Sequence, residues 1–221
     1  MNNKCIILIL VYVFCLLSAN AQTIEPIKPT KYKRVTQAYG YLIGQEYSLG
    51  KIKKDFPSLE LNVLKAQLAF NSTFGKSKEN LVIFLKENLG ATEFATIAGK
   101  LEIETKKILG RQILSEDAAL QYLNEVETRA TGIIASPILE TLLSYQFLNQ
   151  PLNEVANGFF YTFKTKSHPK SKNTDWHIKV PKSWKAEEAE RPNIIQQFTS
   201  DYGDGDDTMM LIVKDLELHK G

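Results

Sequence analysis

Cysteine is almost missing from this chain: there are two, Cys5 and Cys15, and both fall inside the apolar run 5–17. Everything downstream is without a thiol, which excludes disulfide staples, thiolate metal centres and a cysteine nucleophile there and leaves stability to a packed core. Charge of one sign is also lacking, with 27 Lys and Arg against 25 Asp and Glu and a formal net charge of +2. That balance argues against a nucleic-acid binder, whose footprint is a basic excess or stripe. Beyond the N-terminal run no stretch reaches the roughly 18 apolar residues of a membrane-spanning helix. Histidine is confined to His168, His177 and His219. There is no G-x-S-x-G elbow, no phosphate-cradling glycine loop and no H-E-x-x-H pair.

What is present begins at the N-terminus. Asn2, Asn3 and Lys4 make a short polar start, and the run 5–17 has the length of a signal-peptide core, short of the roughly 20 residues needed to cross a bilayer. Ser18 breaks it, and Ala19-Asn20-Ala21 supplies the small-x-small pattern that a signal peptidase accepts. Residues 1–21 are therefore read as a signal peptide cleaved near Ala21-Gln22, with an uncleaved anchor as the competing reading. Cys15 follows Val13 and Phe14, so lipidation there is not expected. Loss of Lys4 leaves 26 basic residues against 25 acidic ones in an exported, periplasmic or extracellular chain.

Residues 22–30, with Pro26 and Pro29, read as a flexible leader. Over 31–150 the period is helical. Val35, Ala38, Tyr39, Leu42, Ile43, Tyr47 and Ile52 gather on one face of a first helix, which Phe56-Pro57-Ser58 ends. A second carries Leu59, Val63, Leu64, Leu68 and Phe70 up to Gly75. A third starts with Ser77 as its cap and ends at Gly90; a fourth starts at Thr92-Glu93. Ser115-Glu116-Asp117 opens a fifth, and Ser136-Pro137 a sixth. Six amphipathic helices with short links predict an antiparallel bundle.

Over 151–221 the period shortens. Phe159-Phe160-Tyr161-Thr162-Phe163 is rich in strand formers, and Trp176, Ile178 and Val180 alternate with His177 and Lys179. Ile194, Ile195, Phe198 and Tyr202 form another strand-like stretch, and 209–213 a short apolar run. Gly203-Asp204-Gly205-Asp206-Asp207 reads as a hairpin turn whose glycines take positive φ. The predicted fold class is α+β: an N-terminal antiparallel helical bundle followed by a short antiparallel β segment; two or three strands are marginal alone, so either they dock on the bundle or the segment is truncated, truncation being the favoured reading.

The candidate chemistry is thin. Asp201, Asp204, Asp206 and Asp207 could offer oxygen ligands to Ca²⁺, though without the spacing of an EF-hand loop; the competing reading is a solvated turn. The histidines read as solvent-exposed and structural, the aromatic strand residues with Trp176 and Trp184 as core. Asn71-Ser72-Thr73 matches a glycosylation acceptor. Lys164, Lys166, Lys170 and Lys172 form a basic loop that could meet anionic lipid or polysaccharide, but no aromatic interleaves them in sequence, and a solvated loop is the favoured reading.

Three stretches, Trp176-His177-Ile178-Lys179-Val180-Pro181-Lys182-Ser183-Trp184, Ile194-Ile195-Gln196-Gln197-Phe198 and Leu211-Ile212-Val213-Lys214-Asp215, together resemble the opening of PsbP-like domains over residues of about 175–216. The resemblance implies an antiparallel sheet packed on helices in a non-catalytic accessory or binding module, and it carries over no functional residues. The expectation is an exported, non-enzymatic envelope or periplasmic protein that binds a protein or small-molecule partner, with no cofactor and no nucleic acid. The alternative is a metal-dependent hydrolase or metal-binding protein, using Ca or Zn at 201–207 with His177.

Overall fold

A computed structural model describes residues 29–214 apart from Ile113 and Ala135. Residues 1–28, which hold the expected signal peptide and most of the expected leader, lie outside the described residues, as do Asp215 and His219. The chain is α+β, with seven helices followed by five short strands among the described residues. Its contacts divide it into two compact units that part between Leu148 and Asn149.

The first unit is an all-helical bundle. Helix α1 (Pro29–Asp55) is its long member. Val35, Ala38, Tyr39, Leu42, Ile43, Leu49 and Ile52 are all buried along it, at the spacing that lines one broad face. Lys53 and Lys54 stand in its last turn, where cations meet the negative end of the helix. Phe56, held out of helical geometry before Pro57, then stops it. Helix α2 (Glu60–Phe74) lies along α5 (Glu116–Ala130), while α3 (Ser77–Leu89) lies against α6 (Pro137–Gln146). Helix α1 packs on α3, α6 and α4 (Ala91–Leu109), with Tyr39 and Phe94 in ring contact at 5.5 Å.

Local chemistry sets the helix ends. Ser115 Oγ accepts from Ala118 N, and Ser136 Oγ accepts from Leu139 N with Pro137 in the first turn. Gly90 ends α3 at φ 81° and ψ 154°, a conformation open essentially to glycine alone. Ser77 departs from its expected role. It is fully buried inside α3, and its Oγ donates to Leu142 O across the helix pair at 2.7 Å.

Helix α2 departs further. Its apolar residues fall on two faces: Val63, Ala66, Phe70 and Phe74 are buried, while Leu61, Leu64 and Leu68 are 78%, 50% and 62% exposed. Leu64 and Leu68, grouped by sequence with the core residues, are turned to solvent. Periodicity cannot choose between two apolar stripes; packing against α5 does. Thr73 of the glycosylation pattern is likewise buried and donates to Ala130 O at 2.9 Å.

The second unit opens with the short helix α7 (Leu152–Ala156), not expected from the sequence, which packs on strand β2. Strands β1 (Phe160–Lys164) and β2 (His177–Pro181) pair antiparallel. Strands β3 (Lys185–Glu187), β4 (Ile194–Thr199) and β5 (Thr208–Ile212) form an antiparallel sheet with β4 in the middle. A register shift between Ile194 and Gln196 marks a bulge, and Ile194, Ile195 and Gln196 are buried in succession where a regular strand would alternate. Phe163 of β1 meets Phe198 of β4 edge-on at 5.3 Å, joining the hairpin to the sheet. Val180 is buried as expected. Trp176, expected in the core, is 56% exposed, because it lies just before β2, at the base of the loop that joins the hairpin strands.

Candidate functional site

The acidic segment is an eight-residue connection, 200–207, folded around Ser200. Ser200 O accepts from Gly203 N at 3.0 Å and Gly205 N at 2.9 Å. Ser200 N donates to Asp207 O at 3.0 Å, and its Oγ accepts from Asp207 N at 3.2 Å. Gly203 has φ 95°, as the turn reading requires, but Asp201 and Tyr202 also take left-handed φ, at 48° and 53°. Gly205 serves by its small size instead: a Cβ there would lie 2.0 Å from Ser200 Oγ. Asp201 and Asp204 are half-buried, Asp206 and Asp207 exposed. Among the described residues, no three His, Cys, Asp or Glu side chains form a group that could hold a metal ion.

The basic segment is a largely exposed loop with internal hydrogen bonds. It closes at its base, where Thr165 N donates to Trp176 O at 3.0 Å and Trp176 N donates to Thr165 Oγ1 at 2.8 Å. Thr165 Oγ1 in turn donates to Thr174 O at 2.6 Å. Within the loop His168 Nδ1 accepts from Lys170 N at 3.2 Å, and Thr165 and Ser171 are buried. Three non-glycine residues, Ser167, Lys172 and Asn173, are held at φ 71°, 50° and 65°. Left-handed geometry in ordinary residues persists only where surrounding bonds over-determine it. Lys170 is half-buried and turned inward, its Nζ donating to Ala189 O at 2.6 Å with Glu188 at 3.7 Å. Lys164 and Lys166 remain exposed.

The strands that carry this loop extend its charge. Paired residues of an antiparallel ladder share a face. Lys164 opposes His177, and Thr162 opposes Lys179, so both pairs are exposed on the side away from Phe163 and Val180. Lys179 Nζ sits 4.4 Å from the centre of the Phe160 ring, and His177 Nε2 lies 3.5 Å from Asp175. Residues 160–182 hold six lysines against one acid, whereas 183–213 hold seven acids against two basic residues. A unit close to neutral in total is thus divided into a positive hairpin and an acidic remainder.

Two polar clusters escaped the sequence reading because their members are far apart in the chain. In the second unit, Glu154 is 2% exposed; its Oε1 accepts from Ser183 N at 2.8 Å and its Oε2 from Ser183 Oγ at 2.6 Å. Burial pushes this carboxyl above its ordinary range, although the hydrogen bonds from Ser183 and Lys182 and the nearby Lys182 charge oppose the shift. In the first unit, the Arg129 guanidinium lies over the Tyr41 ring at 5.6 Å and the Tyr122 ring at 5.9 Å. It also donates to Glu125 Oε2 at 3.2 Å and to Gln45 Oε1 at 3.4 Å. Burial raises both tyrosines above the usual phenol range, and the Arg129 charge works against that rise.

These clusters differ in what they leave available. Glu154 and Arg129 are spent on neighbours that fix helices and turns. The hairpin presents Lys164, Lys166 and Lys179 to solvent beside a loop closed by hydrogen bonds at its base. The chain matches no family model, no curated protein and no solved structure.

Proposed function

We propose that this chain is an exported, non-enzymatic envelope protein that acts as a binding or accessory module, with residues 175–216 as the opening of a PsbP-like domain. The export reading rests on the N-terminal charge, the apolar run 5–17 and the Ala19-Asn20-Ala21 pattern. The binding reading rests on one observation above others: the loop 165–176 holds Ser167 and Lys172 in left-handed geometry, with Asn173, which adopts it readily, beside them, and hydrogen bonds at Thr165, Thr174 and Trp176 close its base. Backbone strain held in place by a hydrogen-bonded frame is a frequent mark of a surface shaped for recognition. What supports the PsbP-like reading is the run of antiparallel strands β3, β4 and β5 within the matching residues, β2 being paired instead with β1.

The test of export is the intact mass of protein recovered from the producing cells together with its fractionation. The expected result is an envelope or extracellular protein that begins at Gln22. Met1 or Cys5 still attached would defeat the proposal. The PsbP-like reading expects a further strand on the side of β5 away from β4, visible as slow amide exchange along that edge; fast exchange there would count against it.

A further inference from the structure

We infer that the outer edge of strand β5 is a self-association surface, at which β5 of a second copy of this chain pairs antiparallel about Met210 and joins the two sheets into one. The PsbP-like reading expects a further strand at this edge, and the inference rests on that reading for the edge being occupied. The strand itself chooses the occupant.

Among the described residues β5 pairs with β4 alone, so it forms one edge of its sheet and β3 forms the other. The two edges are built differently. Strand β3 has only three residues, all exposed, with Lys185 and Glu187 in an ion pair at 2.6 Å, and shortness and charge are what blunt an edge against further pairing. Strand β5 has neither device. From Thr208 to Val213 it carries no charge and no proline, and Met210 and Ile212 are 49% and 50% exposed.

Two hydrogen bonds set which of its amides face outward. Asp207 O accepts from Ser200 N at one end of the strand and Val213 N donates to Asn193 O at the other, so the odd-numbered residues turn their backbone groups toward β4. Alternation along an antiparallel ladder then aims the N–H and C=O of Thr208, Met210 and Ile212 away from β4, on the same residues whose side chains are exposed. Such an edge is a template for another strand.

The edge also fits itself. With the two Met210 residues opposite each other on a twofold axis, Thr208 of each copy opposes Ile212 of the other, every outward amide meets an outward amide, and the exposed apolar side chains gather over the seam. Two residues beyond the strand at each end, the same register sets exposed Lys214 against exposed Asp206 of the second copy. Opposite charges therefore close both ends. A slip by two residues sets Ile212 against Asp206 in one direction and Lys214 against Thr208 in the other, so the charges also fix the register. An extended segment of another protein would use the amides, but the charges match this strand reversed on itself. The seam is short, so the dimer is weak and dissociates on dilution.

The experiment follows the protein recovered from cells, its N-terminus fixed by mass, through sedimentation equilibrium over a concentration series, with amide exchange at Thr208, Met210 and Ile212 read at both ends of the series. A reversible dimer is expected, with these three amides slow in the dimer and fast on dilution. Met210→Lys brings like charges together on the axis and is expected to abolish the dimer while far-UV ellipticity stays unchanged. Lys214→Asp is expected to weaken dimerisation about 10-fold, and Lys214→Asp with Asp206→Lys to restore it, a recovery that mere damage to the fold cannot produce. A dimer indifferent to these substitutions, or not restored by the exchange of charges, overturns the inference. A monomer at every concentration also overturns it, and the amides then decide the PsbP-like reading separately: slow exchange at every dilution places a strand of the same chain at the edge and keeps that reading, whereas fast exchange removes both.

Discussion

Replacing Glu154 tests whether a buried carboxyl holds α7 to the turn after β2. Glu154 is 2% exposed and Ser183 3%, so the Ser183 N–H and hydroxyl that Glu154 satisfies have almost no access to water. Glu154→Ala orphans both, at about 1–3 kcal/mol each, and removes buried methylene packing worth about 0.8 kcal/mol per group. A loss of roughly 4 kcal/mol is therefore expected, a large share of the stability of a small domain. Glu154→Gln behaves differently. Its carbonyl can accept from Ser183 N and its amide can donate to Ser183 Oγ, the pattern of the protonated acid.

The pH dependence separates the two. Because the folded carboxyl is raised above its ordinary 4.5, the folded chain keeps a proton that the unfolded chain has lost as pH rises above that value. Stability from this group is therefore full below the unfolded range and is lost as pH climbs through the raised folded value. Glu154→Gln should abolish that decline, so its advantage over the parent grows from acid toward neutral pH. Both tryptophans, Trp176 and Trp184, lie in the second unit, so urea unfolding followed by their fluorescence reads the affected part, while far-UV ellipticity reads mainly the bundle. A Gln variant with the same pH slope as the parent, or an Ala variant within about 0.5 kcal/mol of it, would falsify the reasoning.

Two further outcomes follow from the bundle. Arg129→Met removes the cation held between Tyr41 and Tyr122 and leaves the buried Gln45 without one partner, so a loss of about 2 kcal/mol is expected in urea unfolding followed by ellipticity; an unchanged midpoint would show that the cluster is incidental. On α2, Leu61→Gln, Leu64→Gln and Leu68→Gln are each expected within about 0.5 kcal/mol of the parent, whereas Phe70→Ala costs about 3–5 kcal/mol. Thermal melts that ranked the exposed leucines with Phe70 would reverse the assignment of the buried face.

The sequence by itself determined the elements whose signals are local. Ser115 and Ser136-Pro137 mark helix starts, Pro57 and Gly90 mark stops, and alternation through Ile178 and Val180 marks a strand, because capping and φ restrictions act within a turn of the residue that causes them. Tertiary structure alone decided which of two apolar stripes on α2 is covered, and that Ser77 bonds across to α6 instead of capping its own helix. It alone joined Glu154 to Ser183 and Gln45 to Arg129, 29 and 84 residues apart. It also left Trp176 at a loop base in solvent. Burial and hydrogen-bond partnership belong to pairs of surfaces, and the partner surface is fixed only when the chain has closed on itself.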